Sequence, residues 1–263
     1  MGAICQDPGS ITTGVVTMRG GAATIVIDRR FRGPVASGNG GVSAGLAASL
    51  VEGSAAVRLR MPPPIDTALA VRDIDDGVTL MLDEQVVMEA RPAEVPVAVP
   101  LDGAGLEAIV GRTIERGASE PLASHPAPEC FVCGPRDDGL RIMVHNLPGT
   151  EVWSSVWAPD VSVASDGQHV DEHVLWGVLD CPAGMAVVHG PVVGKLPFFP
   201  ALTRLTASLR SRVPVGEPVA VLAWNEPSDD RRVNAGTAIV DHDGRILAHA
   251  YAEHARLPAD FAM

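Results

Sequence analysis

The chain has 263 residues, 46% hydrophobic and 20% charged, a length and profile that fit one large or two ordinary globular domains. Its net charge of −12 argues against a nucleic-acid partner, which needs a basic face to meet phosphates, although Arg29, Arg30 and Arg32 form a local cluster. The apolar runs fall short of the roughly 18 residues of a membrane helix, and residues 1–10 carry no leader pattern, so no membrane partner is expected.

Gln6 stands where a myristoylation motif needs Ser or Thr, and four cysteines without a leader fit reduced thiols. A cytoplasmic protein is therefore expected. In chain order, residues 14–18 and 23–31 flank Gly20-Gly21 and predict a hairpin. Residues 33–41 form a Gly- and Pro-rich loop. Residues 42–51 are small and apolar, with no charge until Glu52. That run is too Ala-rich for a strand and predicts a buried helix ended near Gly53. Four strands are predicted next, over 55–61, 67–74, 77–83 and 85–91, with turns at Asp75-Asp76-Gly77 and Asp83-Glu84.

Residues 92–128 are rich in proline and read as a connector. Within it, Leu106, Ile109, Val110 and Ile114 recur at helical spacing and predict a short amphipathic helix. Strands are predicted near 139–145 and 151–157, then a polar loop over 158–168. Residues 172–188 predict a second helix, interrupted or capped around Pro182 and Gly184. An apolar loop, 191–200, carries Phe198-Phe199. Four more strands follow over 202–213, 217–225, 231–240 and 245–255, with a turn at Asp241-His242-Asp243-Gly244.

The halves echo each other at an offset of 150 residues: Leu59 with Leu209, Arg60 with Arg210, Pro64 with Pro214, Ala70-Val71 with Ala220-Val221. The shared order of elements, a small-residue helix and then four strands, carries more weight than these matches. It predicts an α+β chain of two units, 1–100 and 129–263, joined by 101–128, with any functional site at their seam.

Asp180 stands out among candidate functional residues, because Trp176, Val178, Leu179, Cys181 and Met185 around it are apolar. A carboxylate buried there needs a partner or a task, and apolar burial suits a general base. The bland reading is a surface helix Asp or a turn cap. Asn39-Gly40-Gly41 precedes the first helix, where open backbone N–H groups and the helix dipole suit a developing oxyanion; the alternative is a flexible loop with an Asn cap. His169 and His173 flank the second helix start, where His173 is the better placed to meet a carbonyl.

Cys130-Phe131-Val132-Cys133-Gly134 is a CxxC turn. A structural zinc needs four ligands, and the chain has no second CxxC and no HxxxH. His125 and Cys181 are the residues available to complete a set, but a turn with two buried thiols is the default and no metal is expected. Residues 38–45 superficially suit a dinucleotide loop, but Arg32-Gly33-Pro34 breaks the preceding strand and no acid ends the next one. No GxSxG, HExxH or P-loop is present.

Asn39-Gly40-Gly41, the run Leu175-Trp176-Gly177-Val178-Leu179-Asp180-Cys181-Pro182 and Val213-Pro214-Val215-Gly216-Glu217-Pro218 resemble the thioesterase side of the hotdog superfamily. The resemblance spans most of the chain and implies a double hotdog: two central helices, each wrapped by antiparallel sheet, with the sheets joined edge to edge. It implies hydrolysis of an acyl thioester such as acyl-CoA. Asp180 would be base or nucleophile, facing the Asn39, Gly40 and Gly41 helix start of the other unit. His173, Trp176, Met185, Phe198 and Phe199 are candidate linings for the substrate, and Arg30 or Arg32 for CoA phosphates. The Cys130–Cys133 turn is similar to one in such proteins, which implies a packing role.

The first-half helix has only Leu46 or Ala47 where the second has Asp180, so one complete site is expected. Asp171 and Glu172-His173 only superficially resemble the acid and His of the hydratase branch. The rival reading is a non-catalytic protein that binds an acyl or other hydrophobic ligand on the same fold. No cofactor is expected beyond CoA as part of the substrate, and exposed edge strands make a homodimer an expectation.

Overall fold

The computed structural model describes residues 16–19, 22–34, 36–101, 103–118, 125–188 and 197–260. Within them the chain runs β1 (Val16–Arg19), β2 (Ala22–Val26), α1 (Gly40–Ala48), β3 (Ala55–Leu59), β4 (Ala68–Ile74), β5 (Gly77–Leu82) and β6 (Gln85–Pro92). It continues through α2 (Gly103–Arg116), β7 (His145–Asn146), β8 (Val152–Trp157), α3 (Glu172–Val187), β9 (Phe199–Leu209), β10 (Val219–Glu226), β11 (Arg232–Val240) and β12 (Ile246–Leu257).

The strands form one sheet in the order β1-β2-β4-β5-β6-β3-β9-β12-β11-β10-β8-β7. Neighbouring strands pair antiparallel throughout. Read inward from either outer edge, the order is the same: two leading strands, the last three of a meander, then the strand that follows the helix. The halves meet where β3 pairs with β9, Ala55 opposite Ala207, Ala56 opposite Thr206 and Val57 opposite Leu205. Residues separated by 150 positions, Ala56 and Thr206, thus face each other at the middle of this junction.

α1 and α3 lie on one face of the sheet and pack against each other. All of α1 after Gly40 is buried, so it shows no amphipathic stripe. Glycines on both helices permit the close approach. A Cβ on Gly45 would fall 2.6 Å from His173 Cα, and one on Gly177 would fall 2.7 Å from a Val42 methyl. α2 covers the opposite face of the second half, where Leu106, Ile109 and Val110 pack with Val152, Leu222 and Trp224. No helix among the described residues is long and apolar enough to cross a membrane.

Several boundaries differ from the sequence expectation. α1 starts at Gly40 because Asn39 accepts a hydrogen bond from Val42 N–H at 2.9 Å and caps the helix there. Pro182 neither interrupts nor caps α3. The buried packing outweighs the lost N–H, and the Thr237 hydroxyl donates to the nearby Leu179 carbonyl at 2.8 Å. β7 has two residues; Ile142, Met143 and Val144 are buried without forming a strand. In α2, Thr113 is buried while Ile114 is 37% exposed. Phe199 belongs to β9 rather than to a loop. The Gly20-Gly21 turn, and residues 191–196 of the expected apolar loop, lie outside the described residues.

Candidate active site

The N-terminus of α1 abuts the middle of α3. A Cβ on Gly41 would fall 2.5 Å from both Asp180 Cβ and the Trp176 carbonyl oxygen, so only glycine lets the two helices meet here. The contact brings Gly41 N–H to Asp180 Oδ2 at 2.8 Å. Asp180 is 7% exposed, and this bond, reinforced by the positive end of α1, compensates part of its burial. Gly40 N–H, one residue earlier, has no partner among the described residues. The two amides therefore differ: Gly41 holds the carboxylate, and Gly40 remains open.

The other carboxylate oxygen, Asp180 Oδ1, lies 3.4 Å from His254 Nε2. His254 is 1% exposed, and neither ring nitrogen has a hydrogen-bond partner among the described residues. It reaches this place from β12, where the pairing with β9 slips between Glu253 and His254. The bulge leaves Thr203 out of register, with its hydroxyl donating to the Glu253 carbonyl at 2.9 Å.

These groups line a cavity of about 460 Å³. Asn39, Gly40, Asp180, Cys181 and His254 belong to its polar part, with Arg60 and His125, and Leu59, Met61, Met185, Phe199, Leu202 and Leu257 contribute to its apolar part. Asn39 Oδ1 is committed to the helix cap, so its Nδ2 points to sulfur, 3.5 Å from Cys130 Sγ and 3.3 Å from Cys181 Sγ.

Of the expected substrate-binding residues, Phe199 and Met185 line the cavity; His173, Trp176 and Phe198 do not. Trp176 packs over Gly45, whose Cβ would sit 2.8 Å from Trp176 Cβ. The His173 ring meets Phe31 edge-on at 5.2 Å. Burial pushes the His173 pKa down to about 4; the Asp171 charge opposes this and Arg30 adds to it. Phe198 lies beneath the Arg256 guanidinium at 4.5 Å. Arg30 is stacked on Phe131 at 5.4 Å and donates to the Ser162 carbonyl at 2.9 Å, and Arg32 is paired with Glu129. Arg60, which the sequence did not single out, lines the cavity and pairs with Glu89 at 3.0 Å. His169 pairs with Asp166 at 3.2 Å, away from the cavity.

The second half of the arrangement is not repeated in the first. Asp180 lies nine residues after the Asp171 cap of α3, and the residue nine after the Asn39 cap of α1 is Ala48. No carboxylate stands at the equivalent point, as the sequence implied, though the residue is Ala48 rather than Leu46 or Ala47.

His254 is the site residue that sequence reasoning missed. A lone His in a strand carries no local signal, and only the register slip aims it at Asp180. Cys181 was noted only as an available ligand, yet its sulfur lies 3.6 Å from Cys130 Sγ. Hydrogen bonds from the Cys133 and Cys181 thiols, aided by the Cys133 and Val132 amides, hold Cys130 well below the usual thiol range against its burial. Donating those bonds holds Cys133 and Cys181 well above it.

Neither the models of known families nor the sequences of curated proteins match this chain. Solved structures do. A candidate thioesterase from Novosphingobium aromaticivorans aligns with a TM-score of 0.57 at 13% identity, over 89% of this chain and 95% of its own. A candidate thioesterase II from Thermobifida fusca aligns at 0.56 and 15% identity, over 93% and 96%. A protein of unknown function with a hotdog fold from Alicyclobacillus acidocaldarius aligns at 0.53 and 12%, over 92% and 95%. At these identities the likeness is one of fold, and the chain has the α+β hotdog fold.

Proposed function

We propose that this chain is an acyl-thioester hydrolase with acyl-CoA as its substrate class, built as a double hotdog of units 1–100 and 129–263 around the connector 101–128. The double arrangement is supported by the sheet order, which reads alike from both edges, and by the junction of β3 and β9, where Ala56 meets Thr206. It is supported too by neighbours that align along about nine-tenths of the chain.

The observation that carries the catalytic reading is the pair made by Gly40 and Asp180. An open helix-start amide and a fixed carboxylate border one largely apolar cavity. In the proposed reaction the acyl chain lies among Met185, Phe199, Leu202 and their neighbours, and the thioester carbonyl oxygen accepts from Gly40 N–H. Asp180 takes a proton from a water molecule as that water attacks the carbonyl carbon. Negative charge on the tetrahedral oxygen is stabilised by the Gly40 amide and the α1 dipole. Collapse breaks the carbon–sulfur bond, and the thiolate takes the proton from Asp180, leaving free thiol and a carboxylic acid that ionises by losing its proton to solvent. Gly41 N–H orients Asp180 Oδ2, and His254 lies beside Oδ1. Arg60, rather than Arg30 or Arg32, is the cation offered to CoA phosphates. No resident cofactor takes part in these steps.

The test is release of free thiol from short, medium and long acyl-CoAs by the purified protein. Turnover that depends on chain length is expected, because a bounded apolar cavity discriminates by methylene count at about 10- to 200-fold per group. Saturable binding of acyl-CoA without thiol release at any length would overturn the hydrolase reading in favour of a ligand-binding module.

A further inference from the structure

Apart from Asp180, the densest group of reactive side chains is the set of thiols beside it. Cys130 and Cys133 come from the CxxC turn and Cys181 from α3, and their sulfurs all lie within 4.8 Å of one another. All three residues line the cavity.

We propose that Cys130, Cys133 and Cys181 form a three-thiolate site for a thiophilic divalent cation, Zn²⁺, in the cavity wall. The geometry is the argument. Tetrahedral zinc with Zn–S bonds of about 2.3 Å holds its sulfurs roughly 3.8 Å apart. Cys130 Sγ and Cys181 Sγ are already 3.6 Å apart. The remaining sulfur distances, none above 4.8 Å, need to shorten by about 1 Å at most. Gly134 holds the CxxC turn: its N–H donates to the Cys130 carbonyl at 2.9 Å, and a Cβ there would fall 2.4 Å from the Pro128 carbonyl oxygen.

The surroundings suit sulfur bearing negative charge. Asn39 Nδ2 donates to both sulfurs, at 3.5 Å to Cys130 and 3.3 Å to Cys181. N–H donors around ligating sulfur are the outer partners that tune a thiolate metal site. A disulfide is a poorer account of the cluster, since three thiols at one point leave one unpaired.

On binding, each thiol that carries a proton gives it to solvent, and each sulfur gives a lone pair to the metal. Among the described residues no fourth His, Cys, Asp or Glu joins the group. The fourth position would fall to water or a ligand atom from the cavity that the three cysteines line. This inference concerns the thiols alone and does not rest on thioester hydrolysis, so either reading can fail without the other.

The experiment uses the whole chain, reduced and stripped with chelator, titrated first with Co²⁺ and then with Zn²⁺. One equivalent of cobalt is expected to bind, with the visible bands of tetrahedral cobalt and a near-ultraviolet thiolate-to-cobalt charge-transfer band. One equivalent of zinc should erase both, with release of protons. Cys130→Ser, Cys133→Ser and Cys181→Ser should each weaken cobalt binding by more than about tenfold and lower the charge-transfer intensity. The wild-type spectrum reports thiolate ligation by itself, so the test stands even if a variant does not fold. Absence of cobalt uptake, uptake without the charge-transfer band, or folded serine variants that bind as wild type would overturn the proposal.

Discussion

At the scale of single residues, the proposed reaction assigns Asp180 and Gly40 different roles. Gly40 is the first residue of α1, where proline is tolerated because the N–H has no helical partner. Asn39, at φ −58 and ψ 130, already has the extended backbone that a following proline demands. Gly40→Pro should thus remove the oxyanion donor while keeping the helix. A decrease of about 10²- to 10³-fold in kcat is expected beyond that of Gly40→Ala, which adds the same Cβ, 3.0 Å from Leu202 and 3.2 Å from Asp180 Oδ2, but keeps the N–H. An undiminished kcat would remove Gly40 from the mechanism. His173 gives a second residue-scale prediction, about stability. Its pKa is about 4 in the folded chain against 6.5 for a solvated histidine, so between those values the unfolded chain binds the proton more readily. Stability should fall as pH falls through that window, by about 3 kcal/mol in all. Denaturant titrations at a series of pH values should show this loss in the wild type, and His173→Asn should lack that component. Equal slopes for the two proteins would contradict it.

At the scale of elements, the close crossing of α1 and α3 positions everything else. Gly45→Ala adds a methyl at 2.6 Å from His173 Cα, remote from the cavity, and should destabilise the protein by about 1–3 kcal/mol through forced separation of the helices. Gly111, inside α2, meets nothing within 4 Å, and Gly111→Ala should stabilise by about 0.5–1 kcal/mol. Thermal or denaturant unfolding of the two variants checks the pair; Gly45→Ala as stable as wild type would place the helices further apart than described. These elements were largely legible in the sequence. The turns Asp75-Asp76-Gly77 and Asp83-Glu84 bound strands β4 to β6 within a residue of expectation, because local turn chemistry decides them. Residues 139–144 misled, since buried apolar residues need not pair as a strand, and Pro182 misled because tertiary packing overrides local propensity.

For the whole molecule, the continuous sheet ties the halves into one structure. All four tryptophans, Trp153, Trp157, Trp176 and Trp224, belong to the second half, so their fluorescence reports that half while far-ultraviolet circular dichroism reports both. The β3–β9 junction and the α1–α3 contact predict coincident denaturation curves from the two probes. Separate transitions would mean that the halves unfold independently. The seam itself was legible only as an expectation. The motif around Asp180 pointed to the acid and Asn39-Gly40-Gly41 to the helix start, but nothing local indicated His254, whose place depends on a slip in long-range pairing, or divided the two glycine amides between carboxylate and cavity. Trp176 and Phe198 misdirected for the same reason: large apolar side chains near a seam serve the core as readily as a cavity. The proposed role of Asp180, moving the proton in thioester hydrolysis, is tested by kcat/KM for acyl-CoA with wild type and Asp180→Asn side by side. Asn keeps the oxygen that accepts from Gly41 N–H, so the variant should fold, bind acyl-CoA, and lose at least about 10²-fold in kcat with little change in KM. A folded Asp180→Asn protein that hydrolyses acyl-CoA at the wild-type rate would contradict the account.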